Sequence, residues 1–480
     1  MNYSMIIYIL GHLLKFEAIF LLLPMLAGFA YNEIDASIYM VLAFVAFIAG
    51  TLLTLKQPKN KQLFTKEGFV TVALGWIVLS MYGALPFVLT GDIPSYVDAL
   101  FETISGFTTT GASILSDVEA LSHTNLFWRS FTHWIGGMGV FVFILAILPM
   151  IGGSTMYLMK AESPGPSVDK FVPRVKDTAK ILYTLYIGIT LLQIVCLLLA
   201  GMPLFDTLTH TFGTVGTGGF GIKNSSIGGY TSLQQNIITF FMIASGVNYS
   251  AYFYIISKNF KDAFKMEEVR WYLGIILASV FIITLNTWHL YTGFGETVKH
   301  SFFQVASIIT TTGYSTTDFD LWPELSKSIL VLLMVIGACA GSTGGGFKVS
   351  RILILMKTIK KELSLMLHPR EIKKIRMDGQ VVNDDVIRSA NVFTIIYFFL
   401  LFASILLISI DNFDFTTNFT AVAATLNNIG PGLAKVGPTC NFSSYSIFSK
   451  FILMFNMLAG RLELFPLILL IMPNTWKHNK

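Results

Sequence analysis

The sequence predicts an all-α polytopic membrane protein: four pseudo-symmetric helix–re-entrant loop–helix repeats around a central pore, plus an N-terminal helix pair. Three observations predict it. Only 13% of the 480 residues are charged and 54% are hydrophobic, whereas a soluble protein carries about twice that charged share. Apolar runs of about 18 residues or more recur along the chain. Four short stretches repeat between such runs: Thr108-Thr-Thr-Gly111, Val215-Gly-Thr-Gly218, Thr310-Thr-Thr-Gly313 and Asn427-Asn-Ile-Gly430. Their aligned glycines, taken as 111, 218, 313 and 430, are 107, 95 and 117 residues apart, the period of a large internal repeat.

The first apolar run covers about 5–31 and the second about 36–55, with no tip between them. This pair, residues 1–66, stands outside the repeat. The first run lacks a cleavage pattern and reads as a retained helix. Lys15 and Glu17 inside it read as a snorkelling pair or a contact with a neighbouring helix. Repeat one (67–160) has spans near 69–90 and 126–150 around a re-entrant piece at 95–113. Repeat two (161–262) has spans near 178–201 and 234–257, with its tip at 213–221. Repeat three (263–376) has spans near 271–292 and 326–357, with its tip at 310–316. Repeat four (377–480) has spans near 390–411 and 446–472, with its tip at 427–432. That makes ten crossings and four half-way loops. Each re-entrant segment begins near an acid, Asp98, Asp206, Glu296 or Asp414, where a carboxylate stabilises a helix start.

Lysine and arginine set the orientation. Segments 56–68, 160–180, 258–270, 348–388 and 477–480 hold 25 of the chain's 33 basic residues, so they and both termini are placed on the cytoplasmic side. The tips then open outward. The net charge of +5 is spread over these short loops and is no nucleic-acid signal. Cys196, Cys339 and Cys440 are too dispersed for a disulfide framework or a metal site.

At membrane depth, irregular backbone is tolerated where it lines a watery cavity or is buried in protein. A cation pore uses the first case, with inward carbonyl oxygens replacing the ion's hydration shell. Glycine supplies the backbone angles, and no tip position is Asp or Glu, which argues against a carboxylate-lined divalent filter. The stretches Phe107-Thr-Thr-Thr-Gly-Ala-Ser113, Gly213-Thr-Val-Gly-Thr-Gly-Gly-Phe-Gly221, Thr310-Thr-Thr-Gly-Tyr-Ser-Thr316 and Asn427-Asn-Ile-Gly-Pro-Gly432 resemble the four filter loops of the Trk/Ktr/HKT potassium transporters. The likeness spans about 69–472, and the extra N-terminal pair resembles the TrkH branch. It implies potassium uptake across a bacterial cytoplasmic (inner) membrane. It also implies a homodimer with one pore per subunit and a cytosolic nucleotide-binding regulatory subunit of the TrkA type. The implied filter is Thr109, Thr110, Gly111; Gly216, Thr217, Gly218; Thr311, Thr312, Gly313; and Asn428, Ile429, Gly430. The potassium ligands would be the carbonyls of Thr110, Thr217, Thr312 and Ile429, with no organic cofactor. In the family, glycine at the first tip accompanies potassium selectivity, so Gly111 points to potassium.

Two features suggest a gate. The 326–357 segment would be about 48 Å long as one helix, too long for a hydrocarbon layer of about 30 Å. It carries five glycines between 337 and 346, so two half-helices joined by a loop are expected; close packing through small residues is the alternative. Arg461 lies near the middle of the last span, where a basic residue costs about 2.5–3.5 kcal/mol on insertion scales. It should face a cavity or partner, with Glu463 pointing elsewhere on the helix. The loop resembles the family's gating loop and Arg461 its pore arginine. The gate is therefore expected in Gly341, Ser342, Thr343, Gly344, Gly345, Gly346, Lys348 and Arg461, with Lys348 either paired there or an ordinary positive-inside lysine.

Other signals are discounted. Gly216 to Gly221 fits GxGxxG without strand-then-helix context. His123, His133, His210, His289 and His300 form no ligand cluster and are placed at membrane boundaries, with a packing role for His210. The basic stretch 348–388 reads as a cytoplasmic loop and the first choice for docking a regulatory subunit. A sodium- or proton-coupled symporter on the same scaffold remains open, with Glu102 and Glu463 as weak relay candidates. A polytopic enzyme would need clustered His, Asp, Cys or Ser near one face, and none is found in the sequence.

Overall fold

A computed structural model of the chain describes residues 1–60, 63–139 and 175–476. The far half of the span expected at 126–150, most of the basic segment 160–180, the boundary drawn at 160/161 and the tail 477–480 lie outside the described residues.

The N-terminal helices Tyr3–Ala30 and Asp35–Thr54 pack backbone to backbone. A Cβ on Gly11 would lie 2.8 Å from Leu53 Cβ and 3.0 Å from the Gly50 carbonyl oxygen, the close approach that small residues allow in membranes. Lys15 and Glu17 do not pair with each other. Lys15 Nζ donates to Thr54 Oγ1 at 2.5 Å, while Glu17 is buried against Gly83 with no hydrogen-bond partner among the described residues.

Each repeat has an outer helix, a tip helix and an inner segment. The outer helices are Thr65–Gly83 with its continuation Leu85–Thr90, Val175–Leu199, Glu267–Thr287 and Asp384–Ile408. With the N-terminal pair they supply six helices long and apolar enough to cross a membrane among the described residues. Large apolar side chains such as Ile395, Phe399, Phe402 and Leu406 stay exposed along them, the lipid-facing surface of a span. The tip helices are Tyr96–Phe107, Leu204–Val215, Phe294–Ile309 and Phe415–Leu426. Twelve residues span about 18 Å, roughly half the bilayer. Ser95 and Asp414 cap two of them, accepting from Asp98 N at 3.4 Å and Thr417 N at 2.9 Å.

Two of the inner segments depart from expectation. Repeat one begins with His123–Met138. Repeat three breaks between Glu324–Ile336 and Val349–Leu367, where the glycine run predicts it. Repeats two and four also break, although continuous spans were expected. In repeat two, Ser232–Ser245 gives way to Tyr249–Ile256 at Gly246-Val-Asn248. Asn248 Oδ1 caps the second piece, 2.8 Å from Ser250 N. In repeat four, Ile447–Arg461 is followed by Phe465–Ile471. Glu463 and Leu464 take left-handed φ values of 60° and 67°, and Leu464 N bonds back to Ala459 O at 2.8 Å. Arg461 is thus the last residue of a half-helix, not the middle of a continuous one, and a cation suits that end of a helix dipole.

The 348–388 segment is more ordered than a plain loop. Arg376–Met377 pairs antiparallel with Gln380–Val381 across Asp378-Gly379, both at positive φ, the turn chemistry of a two-residue hairpin.

Candidate functional site

All four tip helices end in the same cap. Thr110 N bonds to Ser105 O at 2.8 Å, Gly218 N to Gly213 O at 2.8 Å, Thr312 N to Ser307 O at 2.9 Å and Ile429 N to Ala424 O at 2.9 Å. This six-to-one bond closes a Schellman-type turn. The residue before each bonded amide is left-handed: Thr109, Thr217, Thr311 and Asn428 have φ between 54° and 58°. For a β-branched residue that is a rare conformation costing about 1–3 kcal/mol, and three of the four are threonine.

One residue further on, the glycines at positive φ are Gly111, Gly219, Gly313 and Gly430. This corrects the sequence register. In tip two the structural equivalent of Gly111 is Gly219, not Gly218, and the carbonyl in register with Thr110, Thr312 and Ile429 belongs to Gly218, not Thr217. Val215-Gly-Thr-Gly aligned by its glycine is one residue out, because tip two carries a further glycine.

The register closes a ring. A Cβ on Gly111 would strike the Gly218 carbonyl oxygen, one on Gly219 the Thr312 oxygen, and one on Gly313 the Ile429 oxygen; one on Gly430 would lie 2.8 Å from the Thr110 oxygen. Each tip therefore seats its glycine against the next tip's carbonyl, in the order one, two, three, four and back to one. The flanking hydroxyls of tips one and three are tied to each other: Thr108 Oγ1 and Thr110 Oγ1 are 2.8 Å apart, as are those of Thr310 and Thr312. Asn428 Nδ2 joins tip four to tip one through Thr110 Oγ1 at 2.9 Å.

The loop of repeat three lies against this ring. Gly345 N donates to Thr311 Oγ1 at 2.6 Å, and a Cβ on Gly345 would lie 2.5 Å from the Asn427 carbonyl oxygen. Thr343 Oγ1 donates to Ser245 O at 3.1 Å, Ser342 Oγ to Cys339 O at 2.6 Å, and Tyr249 N to Gly341 O at 3.0 Å. The break in repeat two thus receives the loop of repeat three. Gly341 and Gly346 take positive φ, and Gly344 packs on the Thr310 carbonyl. Lys348 is buried and donates to Gly344 O, so it is not an ordinary surface lysine. Arg461 donates to Thr343 O at 2.9 Å, to Gly137 O at 2.6 Å and to Gly136 O. It bridges the loop to the C-terminal carbonyls of the repeat-one inner helix, where a cation is favoured.

Several working residues escaped the sequence reading. Arg129 Nε binds Glu102 Oε1 at 2.6 Å, both buried, and its Nη1 donates to Gly221 O at 2.8 Å. Glu102 also accepts from Ile114 N at 3.0 Å. Repeat one is thereby braced to tip two. His133 is not at a membrane boundary: it is buried, with Nδ1 2.8 Å from Gly106 O and Nε2 accepting from Phe220 N at 3.2 Å. Lys450 meets Asp98 at 2.6 Å. The signal was present, since Arg129 and Lys450 are charges inside apolar runs just as Arg461 is. Glu102 and Glu463 are both committed to ion pairs, the latter with Arg351. Outside the membrane segments, burial opposes ionisation of Glu33. Hydrogen bonds from Thr124 and His123 outweigh that burial and hold its carboxyl below the usual carboxylate range.

Residues 37–478 match the family model TrkH, described as a cation transport protein. The chain is 38% identical over 486 residues to the Trk system potassium uptake protein TrkH of Salmonella typhimurium, covering all of both proteins. It is 34% identical to the TrkH of Halomonas elongata, covering 99% of this chain and all of that one. The crystal structure of the potassium transporter TrkH from Vibrio parahaemolyticus superposes with a TM-score of 0.88 at 33% identity, over 99% of this chain and all of that one. The chain belongs to the TrkH family of cation transport proteins, a family of transporters and not of enzymes.

Proposed function

We propose that this protein is the pore-forming, channel-like subunit of a potassium-uptake system in a bacterial cytoplasmic membrane. Ions shed water at the four tips and are held by the carbonyls of Thr110, Gly218, Thr312 and Ile429. They then meet a gate built from loop 341–346, Lys348 and Arg461. The observation that carries this reading is the closed ring of tip glycines on neighbouring carbonyls, which fixes four main-chain oxygens in register, as dehydrating a monovalent cation requires. The relatives' potassium uptake supports the choice of ion. Flow is inward, driven by the membrane potential at about 2.3 kcal/mol per elementary charge per 100 mV. Channel-like flow is favoured over symport because Glu102 and Glu463, the weighed relay carboxylates, are occupied by Arg129 and Arg351.

The protein works as a homodimer with both termini cytoplasmic and is controlled by a cytosolic nucleotide-binding subunit. That subunit docks on the basic segment around 370–376, where Arg370, Lys373 and Lys374 are exposed and Ile372 is 92% exposed, an apolar anchor among cations. The test is isotope uptake into liposomes containing the purified chain. Potassium and rubidium should enter far faster than sodium, without need of a sodium gradient. Equal sodium entry, or uptake that requires that gradient, would remove the channel reading.

A further inference from the structure

The gate as described touches the loop from Arg461 and Lys348. A third charged group holds it from the outer helix of repeat three. Glu268, 4% exposed, directs one carboxylate oxygen at two main-chain amides, Ala340 N at 2.6 Å and Ser350 N at 3.0 Å. These amides flank the loop on either side. Ser350 lies in the first turn of Val349–Leu367, whose N-cap residue Lys348 contributes no side-chain cap. Glu268 supplies that cap from another helix, where negative charge suits the dipole. Both flanks of the loop are thus tied to one carboxylate oxygen on the outer helix.

The neighbouring residue faces the cytoplasmic hairpin. Glu267 N donates to Asp378 Oδ1 at 2.6 Å, and the Glu267 carboxylate takes Lys357, which in turn donates to Arg376 O at 2.7 Å. The hairpin therefore grips the same helical turn that holds the loop.

We propose that Glu268 is the latch of the intramembrane loop: a positioning residue that pins both loop flanks and, through Glu267, makes the loop's placement answer to the hairpin at 376–381. This rests on the reading of the loop as the gate. Releasing the latch should let the loop move while the ring, untouched by Glu268, keeps its selectivity.

The test uses the full chain in liposomes and Cys339, buried inside the loop region, as a reporter. On a Cys196→Ser, Cys440→Ser background, Glu268→Gln should raise N-ethylmaleimide labelling of Cys339 and potassium uptake by about tenfold each, the effect of losing a charged acceptor. The potassium-to-sodium ratio should stay as in wild type. Glu268→Asp, which keeps charge but not reach, should give a smaller rise in both. Asp378→Asn should raise labelling without touching the loop directly; unchanged labelling there overturns the hairpin's part. Unchanged labelling and uptake in Glu268→Gln, or misfolding of both Glu268 variants, overturns the latch. Arg461→Ala separates the two levels. If it raises uptake and the Glu268 variants do not, the gate stands without this latch; if neither raises uptake, the gate reading itself falls.

Discussion

Gly219→Ala is the sharpest perturbation of the ring. Gly219 sits at φ +81°, and its added methyl would strike the Thr312 carbonyl oxygen. An L-residue in the left-handed region costs about 1–2 kcal/mol. The obstacle is main chain, so no side chain can swing aside, and relief requires the tip-three carbonyl to shift. Strain of that size corresponds to about a 5- to 30-fold change in an equilibrium, and it falls on one of the four oxygens proposed to replace the hydration shell. We expect the potassium-to-sodium uptake ratio of reconstituted Gly219→Ala to fall about tenfold. Gly188→Ala, where nothing lies within 4 Å of the added atom, should leave it unchanged. Gly218→Ala meets a different obstacle, the His133 ring. His133→Ala should therefore relieve Gly218→Ala and leave Gly219→Ala unrelieved. A folded Gly219→Ala protein with wild-type selectivity would refute the reasoning.

Other perturbations follow from the same contacts. Arg461→Ala removes three carbonyl contacts beneath the ring and should raise ion flux in liposomes without loss of folding; reduced flux in folded protein counts against it. Arg129→Ala strands Glu102 without its cation and should cost about 3–5 kcal/mol. Glu102→Gln combined with Arg129→Met should cost less than that single change, as read from thermal melts in detergent. The Glu33 carboxyl is held below its ordinary range, so its contribution is full above about pH 4.3 and is lost as pH falls through the lower folded value. Wild type should lose more melting temperature than Glu33→Gln between about pH 6 and pH 3. Reversing the charges in 370–376 should weaken binding of the regulatory subunit in pull-down while membrane insertion is unaffected.

Much of this architecture was readable from composition and spacing, because lipid forces apolar runs and irregular backbone stands out against them. The outer helices, the tip helices and the break at 337–348 follow from run length and glycine content. The breaks in repeats two and four do not. One depends on Gly246 receiving a loop from another repeat, and the other on Glu463 and Leu464 accepting strain. Tip two misled by its extra glycine: sequence aligns glycines by identity, whereas the cap selects the residue one beyond the end of the hydrogen-bonded turn. Arg129 and Lys450 were legible as charges in apolar surroundings, but their partners lie in other elements, and only the packed fold names them; Glu268 sits in the charged stretch 258–270, where one more carboxylate gives no signal. The Asp378-Gly379 hairpin was a local turn signal passed over within a basic stretch.

The central claim is that a monovalent cation sits among four specific main-chain oxygens. The most direct measurement is a crystal of the protein soaked in rubidium, with the ion located by anomalous scattering. The account predicts a peak within coordination distance of the Thr110, Gly218, Thr312 and Ile429 carbonyls, lost in Gly219→Ala. A peak on the Thr217 side of tip two, or none at the ring while rubidium is transported, would contradict it.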